Sequence, residues 1–301
     1  MSAQKNIKVF YRPEQTVVSN ESFSPSAGKP AQVLASWQAL GLPIEVVEFK
    51  AMSESQISLA HDPKYVADVL SLKEANGFGN HSAEVAFSLP YTTGSLAAAT
   101  LHALKNGETC ASLTSGFHHA GYNNGGGFCT FNGIVVAAQL ALQVGAKKVG
   151  VLDCDNHYGD GTDDIIKELG LGKKIHHWTF GKHVHTSSDA LAWLALLPEI
   201  VAKFKGCDVV IYQAGADPHV DDPLGGVLTT EQMRERDRIV FNVLDELKIP
   251  VAWNLAGGYQ TPLRKVLDLH DATMQECVSL HLTKGSSYEK GNVEGENHEK
   301  K

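Results

Sequence analysis

Short runs of β-branched and other apolar residues recur along the chain at 7–11, 44–49, 110–114, 148–152, 175–180, 208–212 and 251–255. Each is too short for a helix, and most are apolar at successive positions, the mark of a strand buried on both faces. Longer stretches with helical character lie between them. They cover 30–40, which closes at Gly41, and 63–74, which opens at Pro63, followed by 95–104, 133–143, 189–204, 230–247 and 262–281. Glycine after the last turn and proline in the first are helix boundary signals. Strands alternating with helices predict an α/β chain, a single domain with a parallel multi-stranded sheet flanked by helices on both faces. That domain is expected over 1–284, without an internal repeat or dividing linker. The segment 285–301 has almost no apolar content and is expected to be a disordered tail with His298 solvated in it.

Composition adds constraints. With 301 residues and 43% hydrophobic content the chain can bury a large core. A net charge of -8 and the lack of any Lys/Arg cluster argue against a nucleic-acid partner. The five cysteines form no C-x-x-C pair and their number is odd, which fits a reducing compartment. The start "MSAQKNIKVF" has no signal-peptide apolar region, and no run is long enough to span a bilayer. The expectation is a soluble, cytoplasmic protein with no membrane partner.

The polar residues are distributed unevenly. Ligands of open parallel sheets bind at the carboxyl ends of the strands. Four predicted strands run into "SGFHHAGYNNGGGFCTFN", "DCDNHYGDGT", "QAGADPHVDDPLGG" and "AGGYQTP", so one edge receives four polar, glycine-rich segments. Asp153, Asp155 and His157 alternate, which places them on one face of an extended chain. Adjacent buried carboxylates repel, and a bound cation reverses that cost. A polar loop with a helix N-cap at Thr162 accounts for only part of the segment. Asp155 and His157, with Asp217 from the next polar strand end, make a three-ligand set with an open position, as in a catalytic metal site. Such ligation suits Zn²⁺ and also admits Fe²⁺, Mn²⁺ or Co²⁺. Asp221 and Asp222 follow Pro218 in an outgoing loop and are less suited as ligands.

His118 and His119 end a strand beside several glycines. Imidazoles near a metal can serve as general base and acid if carboxylates orient them, and Asp153 and Asp160 are available for that. Tyr259 follows "LAGG", where its hydroxyl could reach a developing oxyanion, although a packing role is open. Phe128, next to Gly127, fits either a core ring or the wall of a channel for an apolar chain. Cys129 reads as a small packing group.

"GFHHAGYNNGGGFCTFN", "VLDCDNHYGDGT", "GADPHVDDPLGG" and "LAGGY", in order over about 75–270, resemble the zinc-dependent histone deacetylase family. The likeness is closer to its bacterial histone-deacetylase-like and acetylpolyamine-amidohydrolase branch. The resemblance implies an arginase/deacetylase fold and one Zn²⁺ per chain, held by Asp155, His157 and Asp217. It further implies His118 and His119 as active-site histidines, with Asp153 and Asp160 as their partners. His119 would be the main base for water, Tyr259 the transition-state tyrosine, and Phe128, with Gly127 beside it, one wall of the acyl-lysine channel. A structural K⁺ near Asp153, Asp155 and His157, helped by Thr179 and Phe180, is also implied. The implied reaction removes acetyl or other short acyl groups from lysine side chains of proteins.

The sequence departs from the family pattern at its margins. Lys29 in "SPSAGKPAQVL" stands where an "HPE…RL"-like segment is usual. Asn80 and His81 occupy a rim loop where peptide-acting relatives often carry an acidic residue, so acetylated polyamines or other small N-acyl amines are the alternative substrates. "GKHVHTSSD" replaces the usual segment after 175–180, leaving His183 or His185 as candidates for the second channel wall. Two further readings are a non-catalytic binder of acylated ligands and an arginase-like dinuclear manganese enzyme. Acyl-chain preference and oligomeric state are not legible in the sequence.

Overall fold

The computed structural model describes residues 6–18 and 22–289, with side chains through residue 280. Of the expected tail over 285–301, residues 285–289 belong to the last helix, and 290–301 with His298 lie outside the described residues. In chain order the elements are β1 (Ile7–Phe10), α1 (Lys29–Ala39), β2 (Ile44–Val47), α2 (Glu54–Ile57), α3 (Pro63–Leu70) and α4 (Ala83–Asn106). There follow β3 (Cys110–Ser112), α5 (Gly133–Gln143), β4 (Val149–Asp153), α6 (Asp160–Glu168) and β5 (Ile175–Thr179). The last are α7 (Ser187–Ala202), β6 (Val209–Gln213), α8 (Thr230–Glu246), β7 (Val251–Asn254) and α9 (Arg264–Glu289).

The seven strands form one sheet in the order β2-β1-β3-β7-β6-β4-β5, and every pairing is parallel. All seven expected strands are present. Their two-residue period sorts side chains between two cores. Val149, Val151, Val209, Ile211 and Ala252 join the core with Leu96, Ile134 and Val135 from α4 and α5. Leu152, Val210, Tyr212 and Trp253 join the other, with Trp37 of α1, Leu197 of α7, Phe241 of α8 and Met274 of α9. Helices therefore cover both faces of the sheet.

Three helices differ from expectation, the first being the short α2 over 54–57, where none was expected. The fourth begins at Ala83, not near 95, and runs through Pro90. Proline within a helix costs about 3 kcal/mol. Val85, Ala86 and Leu89 before it and Leu96 and Ala97 after it are all buried, and that packing overrides the break. The sixth, over 160–168, was expected only through a cap at Thr162, without a range. Its N-cap is Gly159, which places Thr162 inside the helix and corrects the expected cap. The Thr162 hydroxyl instead accepts a hydrogen bond from Asn132 Nδ2 at 3.0 Å.

Behind the sheet's carboxyl edge lies a buried ion pair. Arg236 Nε donates to Asp237 Oδ1 at 2.8 Å, and Arg236 Nη1 donates to the carbonyls of Gly215 at 2.7 Å and Cys154 at 3.3 Å. The guanidinium thereby fixes the two turns that leave β4 and β6.

Candidate metal centre and active site

The β4 strand ends at Asp153, whose carboxylate is fully buried and fully used. Oδ2 accepts from His118 Nδ1 at 2.8 Å, and Oδ1 accepts from Asp155 N at 3.1 Å and Gln213 Nε2 at 2.9 Å. The chain then turns so that Asp155, His157 and Asp217 bring their ligand atoms within 4.8 Å of one another. His157 Nδ1 lies 3.2 Å from Asp155 Oδ1 and 3.0 Å from Asp217 Oδ2. The second oxygens are held by backbone, Asp155 Oδ2 by Gly257 N at 2.8 Å and Asp217 Oδ1 by Asn156 N at 3.1 Å. A Cβ on residue 257 would stand 2.3 Å from Asp217 Oδ2, so only glycine allows this approach.

The electrostatics fit a cation. Burial and the neighbouring Asp155 raise the Asp217 carboxyl to about 7. Burial opposes ionisation of Asp155 too, but the charge of His118 and a hydrogen bond from His157 hold its carboxyl well below the usual range. Hydrogen bonds to Asp155 and Asp217 raise His157 to about 11. Two buried carboxylates thus gather positive charge from every side, and their oxygens converge with one imidazole nitrogen on a common point. This donor set suits a divalent metal with part of its coordination left open.

The two expected imidazole–carboxylate pairs are formed. His118 with Asp153 is buried, whereas His119 Nδ1 donates at 2.7 Å to Asp160 Oδ1, on a side chain that is 62% exposed. The rings of His118 and His119 are 4.1 Å apart between centroids. Burial opposes charge on His118, but Asp155 and Asp153 outweigh it and raise this group to about 9. Burial and the charge of His118 lower His119 against the pull of Asp160. The two adjacent imidazoles are thus pushed in opposite directions by their surroundings.

Gly127 passes directly over His119, where a Cβ would come within 2.6 Å of the ring. Phe128 is half-buried, with its ring 5.6 Å from Tyr259 and 5.8 Å from Phe78. Burial and the nearby carboxylates raise the Tyr259 phenol, which keeps its proton available for donation. Burial pushes the Cys129 thiol up to about 12, in keeping with a packing role. The register of β4 on β5 sets Thr179 beside Asp153. His183 stacks on Trp178, with centroids 5.4 Å apart, and His185 is exposed just ahead of α7.

Two residues named from the sequence without a role, Lys29 and Asp222, support the site. Lys29 is fully buried and donates through Nζ to Ala256 O at 2.7 Å and Gly257 O at 3.3 Å. Asp222 Oδ2 accepts from Tyr259 N at 2.8 Å, so the Tyr259 turn is held from both sides. Gln213, a polar residue ending a buried strand, was a legible signal; Asp222 offered none beyond its charge.

The comparisons with known proteins bear on this geometry. The family model described as "Histone deacetylase domain" matches residues 26–188 and 173–274. The chain belongs to the histone deacetylase family. It is therefore a hydrolase acting on acetyl amides, within a family that is generally metal-dependent. An uncharacterized protein of Picosynechococcus sp. is 27% identical over 252 residues, 76% of this chain and 83% of its own. The acetylpolyamine amidohydrolase of Mycoplana ramosa is 53% identical over 53 residues, 18% of this chain and 16% of its own. The crystal structure of the HDA15 HD domain superposes with a TM-score of 0.75 at 19% identity, covering 98% of this chain and all of that one. This deacetylase fold is the α/β architecture expected from the sequence.

Proposed function

We propose that the protein is a Zn²⁺-dependent amidohydrolase that removes acetyl or other short acyl groups from amines, with lysine side chains of proteins as the first substrate class. The observation that carries this reading is the convergence of Asp155, His157 and Asp217 next to two imidazole–carboxylate pairs. A Zn²⁺ ion held by these three residues would polarise the acyl carbonyl as a Lewis acid. A K⁺ beside Asp153, Asp155 and His157, reached by Thr179 and Phe180, would serve as a structural cation. His119 commits Nδ1 to Asp160, which leaves Nε2 to take a proton from the attacking water. The Tyr259 hydroxyl donates to the oxyanion that develops as the carbon–oxygen bond forms. When the carbon–nitrogen bond breaks, an imidazolium returns the proton to the leaving amine, giving a carboxylate and a free amine.

A second reading, small N-acyl amines such as acetylated polyamines, is favoured by the rim loop. His81 Nδ1 bonds to Leu72 O at 3.0 Å, and Asn80 Oδ1 accepts from Asn76 Nδ2 and Ser82 N, so this loop carries no carboxylate in the place considered. The deciding experiment measures turnover of an acetyl-lysine peptide and of acetylputrescine by Zn²⁺-loaded protein. Both Asp155→Ala and His119→Ala should abolish it. Hydrolysis that survives both substitutions would rule the mechanism out.

A further inference from the structure

Phe23 is 70% exposed, yet its ring is not adrift. It meets Phe128 edge-on with centroids 5.3 Å apart and lies 6.3 Å from Tyr259. Phe78 contacts Phe128 from another side, at 5.8 Å. Two phenyl rings therefore gather around that of Phe128, which itself lies against Tyr259. Phe23 is held there by its own segment. Val17 is buried and donates from its backbone N to Ala27 O at 2.9 Å, and Ser24, the residue after Phe23, is buried as well.

A large aromatic ring left in water forgoes most of its burial free energy, and ordered contacts to site residues give it a use only when something covers it. On the amidohydrolase reading, the body that covers a ring beside Phe128 and Tyr259 would be the amine portion of the substrate. We infer that Phe23 is a specificity-determining residue: with Phe78 and Phe128 it forms an apolar rim that selects N-acyl amines carrying an aromatic or bulky apolar group a few atoms from the amide nitrogen. A cationic diamine or the polar backbone of a peptide gains less from such a rim. This inference rests on the amidohydrolase reading above and departs from it in substrate, ranking aromatic N-acyl amines ahead of acetyl-lysine peptides and acetylated polyamines.

The test uses the Zn²⁺-loaded protein with N-acetyl-2-phenylethylamine, N-acetylputrescine and an acetyl-lysine peptide. The phenyl compound should have the highest kcat/KM. Phe23→Ala should lower its preference over acetylputrescine about tenfold, the worth of one ring contact, with the loss in KM and not in kcat. Phe23→Trp should retain the preference. Faster turnover of acetylputrescine or the peptide by the unmodified protein overturns the inference. So does an equal loss on all three compounds with Phe23→Ala, which would mark the ring as a support for the fold. Dissociation constants for the same compounds, measured on His119→Ala with and without Phe23→Ala, report the rim separately. Absence of all hydrolysis with the binding preference intact sinks the amidohydrolase reading alone; binding without preference sinks the rim.

Discussion

His118 and His119 share a peptide bond and meet different surroundings. His118 faces two buried carboxylates, while His119 faces a largely solvated one. Because burial and the His118 charge lower its pKa, His119 is neutral near pH 7. Protonation removes the base, so kcat/KM should fall about tenfold per pH unit below that pKa. Asp160 raises His119, so Asp160→Asn should move this acid limb to lower pH; a pH–rate profile of the variant checks the direction. Tyr259→Phe should cost about 10²–10³-fold in kcat while leaving the melting temperature unchanged, measured by kinetics and calorimetry on the same samples. At this scale the sequence was informative where chemistry is local. Asp155 and His157 lie two residues apart just past β4, so the sequence placed them together, although the chain bends there and does not continue as a strand. Phe23 and Asp222 were silent because each acts on a residue more than thirty positions away, through contacts that only the fold creates.

The strands of this chain were legible because a two-sided parallel sheet demands unbroken apolar runs, which few helices of that length show. The extent of the sixth helix was not, since its first turn is "DGTD" and only one turn is apolar. Between elements, His61 ties α5 to the active-site loop. It bonds through Nδ1 to Gly121 O at 2.9 Å and accepts at Nε2 from Asn132 N at 2.7 Å. Asn132 then caps α5 and donates to Ala120 O at 3.1 Å, close to the imidazole pair. Burial lowers His61 from 6.5 to about 4, so the unfolded chain binds a proton that the folded one refuses. Its stabilising contribution is complete above pH 6.5 and is lost as pH falls toward 4, by about 3 kcal/mol. Denaturant titrations at pH 7 and pH 4.5 should show this decline, and His61→Gln should flatten it while lowering stability at pH 7.

Across the whole molecule, stability and metal occupancy are linked. A ligand bound only by the folded state adds about 2.7 kcal/mol at a hundredfold excess over its Kd. Adding Zn²⁺ to chelated protein should therefore raise the melting temperature, and Asp217→Ala should abolish the rise; calorimetry with and without chelator reads both. The groups that assemble the centre are far apart in sequence: Lys29 lies ahead of the second strand, Asp155 after the fourth, Asp217 after the sixth, and the Gly257 amide after the seventh. A growing polypeptide that has not yet emerged past residue 257 lacks both the amide that orients Asp155 and the carbonyls that receive Lys29. Synthesis thus supplies its own safeguard: the centre cannot be completed until the strand end carrying Gly257 has left the ribosome.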